Sequence, residues 1–275
     1  MGYSKKEQKI LLREYISLER HEKKFFNRGA NKGPGLTDRI RGKIPKKAMD
    51  SLEAAFEKGF VFLFEKGTPL LEKVSGVEKA KAASAEYRHS LELMVHPDTL
   101  RALDKTAGGK TNVTKSISII EGAGLGIFGI GLPDIPVFLA MLLKTAYEIG
   151  ASYGFDFRLD EERPYTLALL KVAFSQGEER KKFSKECDEL GKLIDDDLLS
   201  NTTINHEDLQ DVSKVLATDM LVAKFIQGTT FLGVVGGAIN YRLAGKIATV
   251  VKYKYKKRFL YRLMQQKESD RRAHV

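Results

Sequence analysis

The chain has little of what would make its chemistry easy to read. Of 275 residues one is cysteine, Cys187. A single thiol excludes an intramolecular disulfide and a cysteine-rich zinc site, and it reads as an ordinary apolar helix position. Tryptophan is absent and proline occurs seven times. Few prolines among many Ala, Leu, Lys and Glu favour helix. No stretch alternates with period two over the length of a strand, and no repeat of fixed length is found. No Walker A loop, serine-hydrolase elbow or kinase signature is present. No leader peptide is expected, because the first apolar cluster, Ile10-Leu11-Leu12, is short and flanked by charge. These absences point to an intracellular, cytoplasmic chain.

What is present is a helical pattern and an uneven charge. Hydrophobic residues make up 43%, enough for a sizeable core, while 30% charged residues exclude a polytopic membrane protein. The net charge is +10. Residues 1–47 hold 14 Lys/Arg against 5 Asp/Glu, and residues 241–275 hold 11 against 2. Each end is therefore +9 and the middle −8. A near-neutral or acidic body with two basic ends suggests an anionic partner for the ends, a membrane surface or a nucleic acid.

Helical spacing is clear along much of the chain. Leu11, Tyr15, Leu18 and Phe25 predict a helix over 5–27. Met49, Leu52, Phe56, Phe60 and Leu63 predict another, opened by Pro45. Further helices are expected over 76–95, over 134–152, from Pro164, through Phe183 to Leu198, from an Asn205 cap, and over 241–268. His96-Pro97-Asp98 reads as a break. Gly154 reads as a left-handed helix cap. The expected fold is an all-α, multi-helix globular bundle. A basic N-terminal helix and linker occupy 1–44, the helical domain 45–268, and a short tail 269–275.

Two apolar, Gly-rich segments stand out. Gly122 to Leu143 carries one charge, Asp134, in 22 residues, and Phe225 to Tyr241 carries none in 17. Pro133, Pro136 and Asp134 argue against a simple membrane span. Gly122 and Gly126, like Gly233 and Gly237, are four apart, which lets another helix backbone approach closely. The Gly-rich helices at 116–131 and 225–240 are expected to pack against each other near the centre of the bundle. Gly124 to Gly129 also satisfies G-x-G-x-x-G, but the prolines follow too soon for a dinucleotide site.

The run Glu121-Gly122-Ala123-Gly124 … Gly131-Leu132-Pro133-Asp134-Ile135-Pro136, followed by Glu148-Ile149 and Tyr153-Gly154-Phe155-Asp156, resembles the signature of EcsC-family proteins. Lys43 to Lys47, Phe64 to Thr68 and Gly236 to Asn240 add weaker matches. The family takes its name from a gene beside those of a bacterial ABC transporter. The resemblance implies a membrane-proximal accessory role with a transporter or anionic lipid as partner; it supplies no catalytic residues and no cofactor.

Glu121 and Asp134 are the acids most out of place, because unpaired charge among apolar residues is costly. They are the candidates for an alternative, hydrolase-like reading, although a helix N-cap accounts for Asp134 equally well. Asp195-Asp196-Asp197 reads as a solvated charge run. No metal site is expected. The densest surface signal is the last helix. Lys252, Lys254, Lys256, Lys257, Arg258 and Arg262 lie among tyrosines beside a four-step apolar stripe, the pattern of a helix on an anionic lipid surface. Phe25-Phe26 and Phe259 would add apolar contact. Such a basic face could be neutralised without unfolding the body. A nucleic-acid arm is the remaining alternative, and no DNA- or RNA-binding motif accompanies it.

Overall fold

The computed structural model describes residues 3–27, 40–65, 71, 76–108, 134–199, 204–226 and 237–272. Among them are nine helices of eleven residues or more and no strand: α1 Lys5–Asn27, α2 Lys46–Glu65, α3 Val77–Leu93, α4 Pro97–Ala107, α5 Asp134–Ser152, α6 Glu162–Phe174, α7 Gly177–Asp195, α8 His206–Ile226 and α9 Gly237–Arg272. The expected all-α class is the observed one.

Local chemistry sets several helix ends. Ser4 and Glu7 form a reciprocal capping box at the start of α1, with the Ser4 amide donating to Glu7 Oε2 at 2.8 Å and the Glu7 amide to Ser4 Oγ at 3.3 Å. Asn205 and Asp208 do the same for α8, at 2.8 and 3.3 Å. Gly154 ends α5 with φ +90°, and the Phe155 amide reaches back to the Gly150 carbonyl at 3.0 Å. The break at His96-Pro97-Asp98 is also a beginning. Pro97 takes the first position of α4, where its missing N–H is no loss, and His96 Nδ1 accepts from the Asp98 amide.

Three helices form the interior. α5 packs against α2, α3, α4 and α9, so nearly all of its faces are buried, the Lys144–Glu148 pair included. Its stretch Ile135–Ser152 is long and apolar enough, by length and composition, to cross a membrane, and 89% of that stretch is buried inside the protein. α6 packs against α7, α8 and α9. α9 has 36 residues, about 54 Å of helix, and lies against α1, α5, α6 and α7. Its Ile247, Val251, Tyr255, Phe259 and Leu263 step by four and are all buried.

The expected crossing of the two Gly-rich segments lies outside the described residues, as do Glu121, Gly122, Gly126, Gly233 and the side chain of Asp134. Asp134 is the first residue of α5, and its reading as an N-cap rests on a side chain outside the described residues. Gly237 belongs to α9, as its first residue.

Cys187 is fully buried on α7, and burial pushes its thiol up to about 12. The thiolate is the nucleophile, so Cys187 is expected to be inert to a thiol-specific disulfide reagent near neutral pH until the protein unfolds. A reaction trace with and without urea checks this. Prompt reaction in the native state would contradict the packing of α7 on α6 and α9.

Candidate functional site

The six cations proposed as a basic surface on α9 are the place to begin. The apolar stripe of α9 fixes its rotation, and this aims the cations between neighbouring helices rather than away from them. Lys254, Lys256 and Arg258 are buried, and Lys252 and Lys257 are half-buried. The reading of these residues as a solvent-facing basic face is corrected by where acids from α1, α4, α6 and α7 arrive.

Lys254 Nζ is held by Asp188 Oδ1 at 2.7 Å, Ser184 Oγ at 2.7 Å and the Ser184 carbonyl at 3.0 Å. Glu22 Oε1 lies 2.8 Å from it but poorly aligned for a hydrogen bond, so that attraction is chiefly Coulombic. Lys257 meets Asp188 Oδ2 at 2.8 Å and Glu19 at 3.3 Å. Lys256 bridges Glu14 and Asp104, each at 2.5 Å. Lys252 donates to the Asp104 carbonyl at 2.8 Å. Burial opposes the charge on all four. For Lys254, Lys256 and Lys257 the carboxylates outweigh burial and the pKa rises above the usual lysine value; for Lys252 burial prevails and the pKa falls.

Arg258 is buried between two carboxylates and two aromatic rings. Its Nε and Nη2 fork onto Asp195, at 3.0 and 2.7 Å, and Nη1 and Nη2 reach Glu162 at 3.1 and 2.9 Å. The guanidinium lies over the rings of Phe155 and Tyr165, 4.4 and 4.2 Å from their centroids. Gly191 makes this possible: a Cβ there would sit 2.9 Å from Arg258 Cδ and 3.0 Å from the Tyr165 ring. Arg262 shares Asp195 at 2.7 Å and stacks over Phe155 at 4.3 Å. The Asp195 side chain is fully buried, so the first acid of the run at the end of α7 is a ligand for α9; Asp196, which accepts from Tyr261 at 2.9 Å, and Asp197 are exposed, as a solvated run would be. Six cations of α9 thus face seven carboxylates, which leaves this cluster no surplus positive charge.

Residues of the signature run build the seat of the cluster. Tyr153 donates to Asp104 at 2.8 Å, Phe155 carries both arginines, and Asp156 binds Arg158, whose hydrogen bonds hold its carboxyl below the usual range. Glu148 Oε1 accepts from the Gly76 amide at 2.7 Å and fixes the start of α3. Sequence reasoning missed Glu14, Glu22, Asp104, Glu162 and Asp188. For Asp104, Glu162 and Asp188 the signal was the −8 body, whose acids needed partners; Glu14 and Glu22 sit in the basic N-terminal segment and gave no such signal.

Between α1 and α7 a polar groove runs over this cluster, in two adjoining clefts of about 240 and 440 Å³ that share Glu19, Lys185, Asp188 and Lys257. Its carboxylates are tied to Lys185, Lys257 and Arg258, whereas Lys23 and Lys192 on its rim have no ion pair among the described residues. Cys187 lies behind it with a raised pKa, which disfavours a nucleophile. Among the described residues no group of three or more His, Cys, Asp or Glu could hold a metal ion. Phe25, Phe26 and Phe259 also turn inward: Phe25 meets Tyr253, Phe26 lies under Arg180 and Phe259 is buried.

The model of the EcsC protein family matches residues 9–260, and the chain belongs to that family. Among curated proteins it is similar to Protein EcsC of Bacillus subtilis (strain 168), 24% identical over 148 residues, which is 53% of this chain and 59% of that relative. The chain thus matches less than two thirds of that relative's length. No solved structure matches.

Proposed function

We propose that this EcsC-family protein is a non-catalytic accessory factor that works at the cytoplasmic face of a membrane, recruited by an anionic surface beside a membrane transporter. One observation carries the reading. The densest set of ionisable groups among the described residues is saturated with mutual ion pairs, and Glu14, Glu19 and Glu22 of α1 turn inward to join it. The cations of the N-terminal segment are then left with no acid of their own helix to offset them. A saturated cluster supports the fold and offers no free acid, base or nucleophile for a reaction. Uncompensated surface charge supports recruitment by an anion-rich partner.

Cell fractionation tests this. The protein is expected in the membrane pellet at low ionic strength and in the supernatant at about 1 M salt, where the screening length falls to about 3 Å. Recovery in the supernatant at low salt would overturn the reading. Retention in the pellet at high salt would overturn recruitment by charge.

A further inference from the structure

The outward face of α1 has a composition that packing alone does not require. All seven cations of this helix, from Lys5 to Lys24, are exposed. None has an ion-pair partner among the described residues. All four acids are engaged elsewhere: Glu7 caps the helix and accepts from the Val95 amide at 2.9 Å, while Glu14, Glu19 and Glu22 pair with lysines of α9. Complete segregation of sign on one helix leaves an outer face with positive charge only.

Along that face Lys5, Lys9, Leu12, Ile16, Arg20 and Lys23 follow one another at steps of four, three, four, four and three, so they form one stripe. Leu12 and Ile16 sit at its middle and are 53% and 39% exposed. The inner face already has its own apolar anchors, Leu11 and Leu18, both buried. Leu12 and Ile16 are therefore surplus to docking α1 on the body.

We infer that the outer face of α1 is a lipid-surface binding site, which lies flat on an anionic bilayer with Leu12 and Ile16 at the headgroup boundary. This rests on the membrane reading above and gives it a location. A central aliphatic pair within a cationic stripe matches an interfacial helix, where phosphate groups meet the charges and the acyl boundary receives the aliphatics. It does not match a nucleic-acid site. Aliphatic groups gain nothing from phosphates, and the aromatics that could stack on bases turn inward: Tyr15 lies under Lys257, Phe25 against Tyr253 and Phe26 under Arg180.

The test is co-sedimentation of the full chain with vesicles of phosphatidylcholine alone or mixed with phosphatidylglycerol in equal parts. The parent is expected to bind only the mixed vesicles, and less as salt rises. Lys5→Gln/Lys9→Gln/Arg13→Gln/Arg20→Gln should weaken partitioning by at least about 100-fold. Leu12→Gln/Ile16→Gln should weaken it by roughly 10-fold and keep the salt dependence. Neither variant should shift the urea midpoint, because these side chains carry no ion pair and no core contact. As a control, Lys181→Gln/Lys182→Gln/Lys185→Gln removes three exposed lysines of α7 that pair with Glu178, Glu186 and Glu189, and should bind as the parent does. If the parent binds mixed vesicles and the α1 variants bind equally well, the face is misassigned while the membrane reading stands. If the parent binds neither vesicle, the membrane reading falls and this inference with it. If single-stranded RNA displaces the parent from mixed vesicles at equal phosphate concentration, the face serves nucleic acid and the inference is overturned.

Discussion

Arg258→Met is expected to lower the unfolding free energy by about 3–5 kcal/mol, most of the margin of a typical domain. The loss comes less from the arginine than from what it leaves. Asp195 and Glu162 have side chains 0% and 1% exposed, and the same guanidinium neutralises both. Without it two carboxylates remain beside aromatic walls, with Arg262 reaching only Asp195. Arg258→Lys is expected to recover only part of the loss. An ammonium cannot fork onto one carboxylate, bridge to a second and stack flat between Phe155 and Tyr165. Removing the charges together, in Arg258→Met/Glu162→Gln/Asp195→Asn, should be less damaging than Arg258→Met alone, because it strands no charge. Arg262 makes the contrast. It is 39% exposed and water can replace it, so Arg262→Met should change stability by less than about 1 kcal/mol. Urea titrations followed by circular dichroism measure all four. An Arg258→Met midpoint close to that of the parent would mean that the cluster is not structural.

Inward pairing of this kind reverses an expectation about the last helix as a whole. Its cations look removable in the sequence, because charges beside an apolar stripe usually face water. Period alone cannot say which helix lies opposite. The partners of Lys254, Lys256 and Arg258 are between 63 and 242 residues away in the chain, and only the packing of α1, α4, α6 and α7 around α9 brings them together. Eight of the nine described helices were legible, most of them from several turns of one apolar face. So were the Asn205 cap, the Gly154 cap and the burial of Cys187, whose cause is local. α4 was missed although its signal was in view: a proline after a capping residue begins a helix as readily as it ends one. The outward face of α1 was half legible. Its charge excess could be counted, but the choice of Leu12 and Ile16 over Phe25 and Phe26 as the exposed pair depends on the register against α9.

Alkaline unfolding is expected to be unusually steep, because the buried ionisable groups nearly all respond in one direction. Burial, first, and then nearby carboxylates raise the pKa of Tyr153 and Tyr255; burial also raises Tyr147 and Tyr165, and takes Cys187 from 9.0 to about 12. Lys254, Lys256 and Lys257 are raised by carboxylates that outweigh burial. In each case the folded protein holds its proton more tightly than the unfolded chain. The associated stability is complete below the unfolded-chain values, about 9 for Cys and about 10 for Tyr and Lys, and is lost as pH climbs toward the folded values. Lys252 runs the other way, since burial lowers its pKa, and offsets a part of this. Cys187 alone, titrating near 9 when unfolded, would remove roughly 2–3 kcal/mol by about pH 11, at about 1.4 kcal/mol per pH unit. The urea midpoint should therefore hold level from about pH 7 to about pH 9 and collapse between about pH 10 and pH 12. Cys187→Ala separates the thiol from the rest: it should delay the onset without removing the collapse, because the tyrosines and lysines remain. A midpoint unchanged at about pH 11 would mean that these groups are already exchanging with water. The salt bridges around α9 would then be surface contacts of little consequence, and the cations of α9 would again be available to an anionic partner.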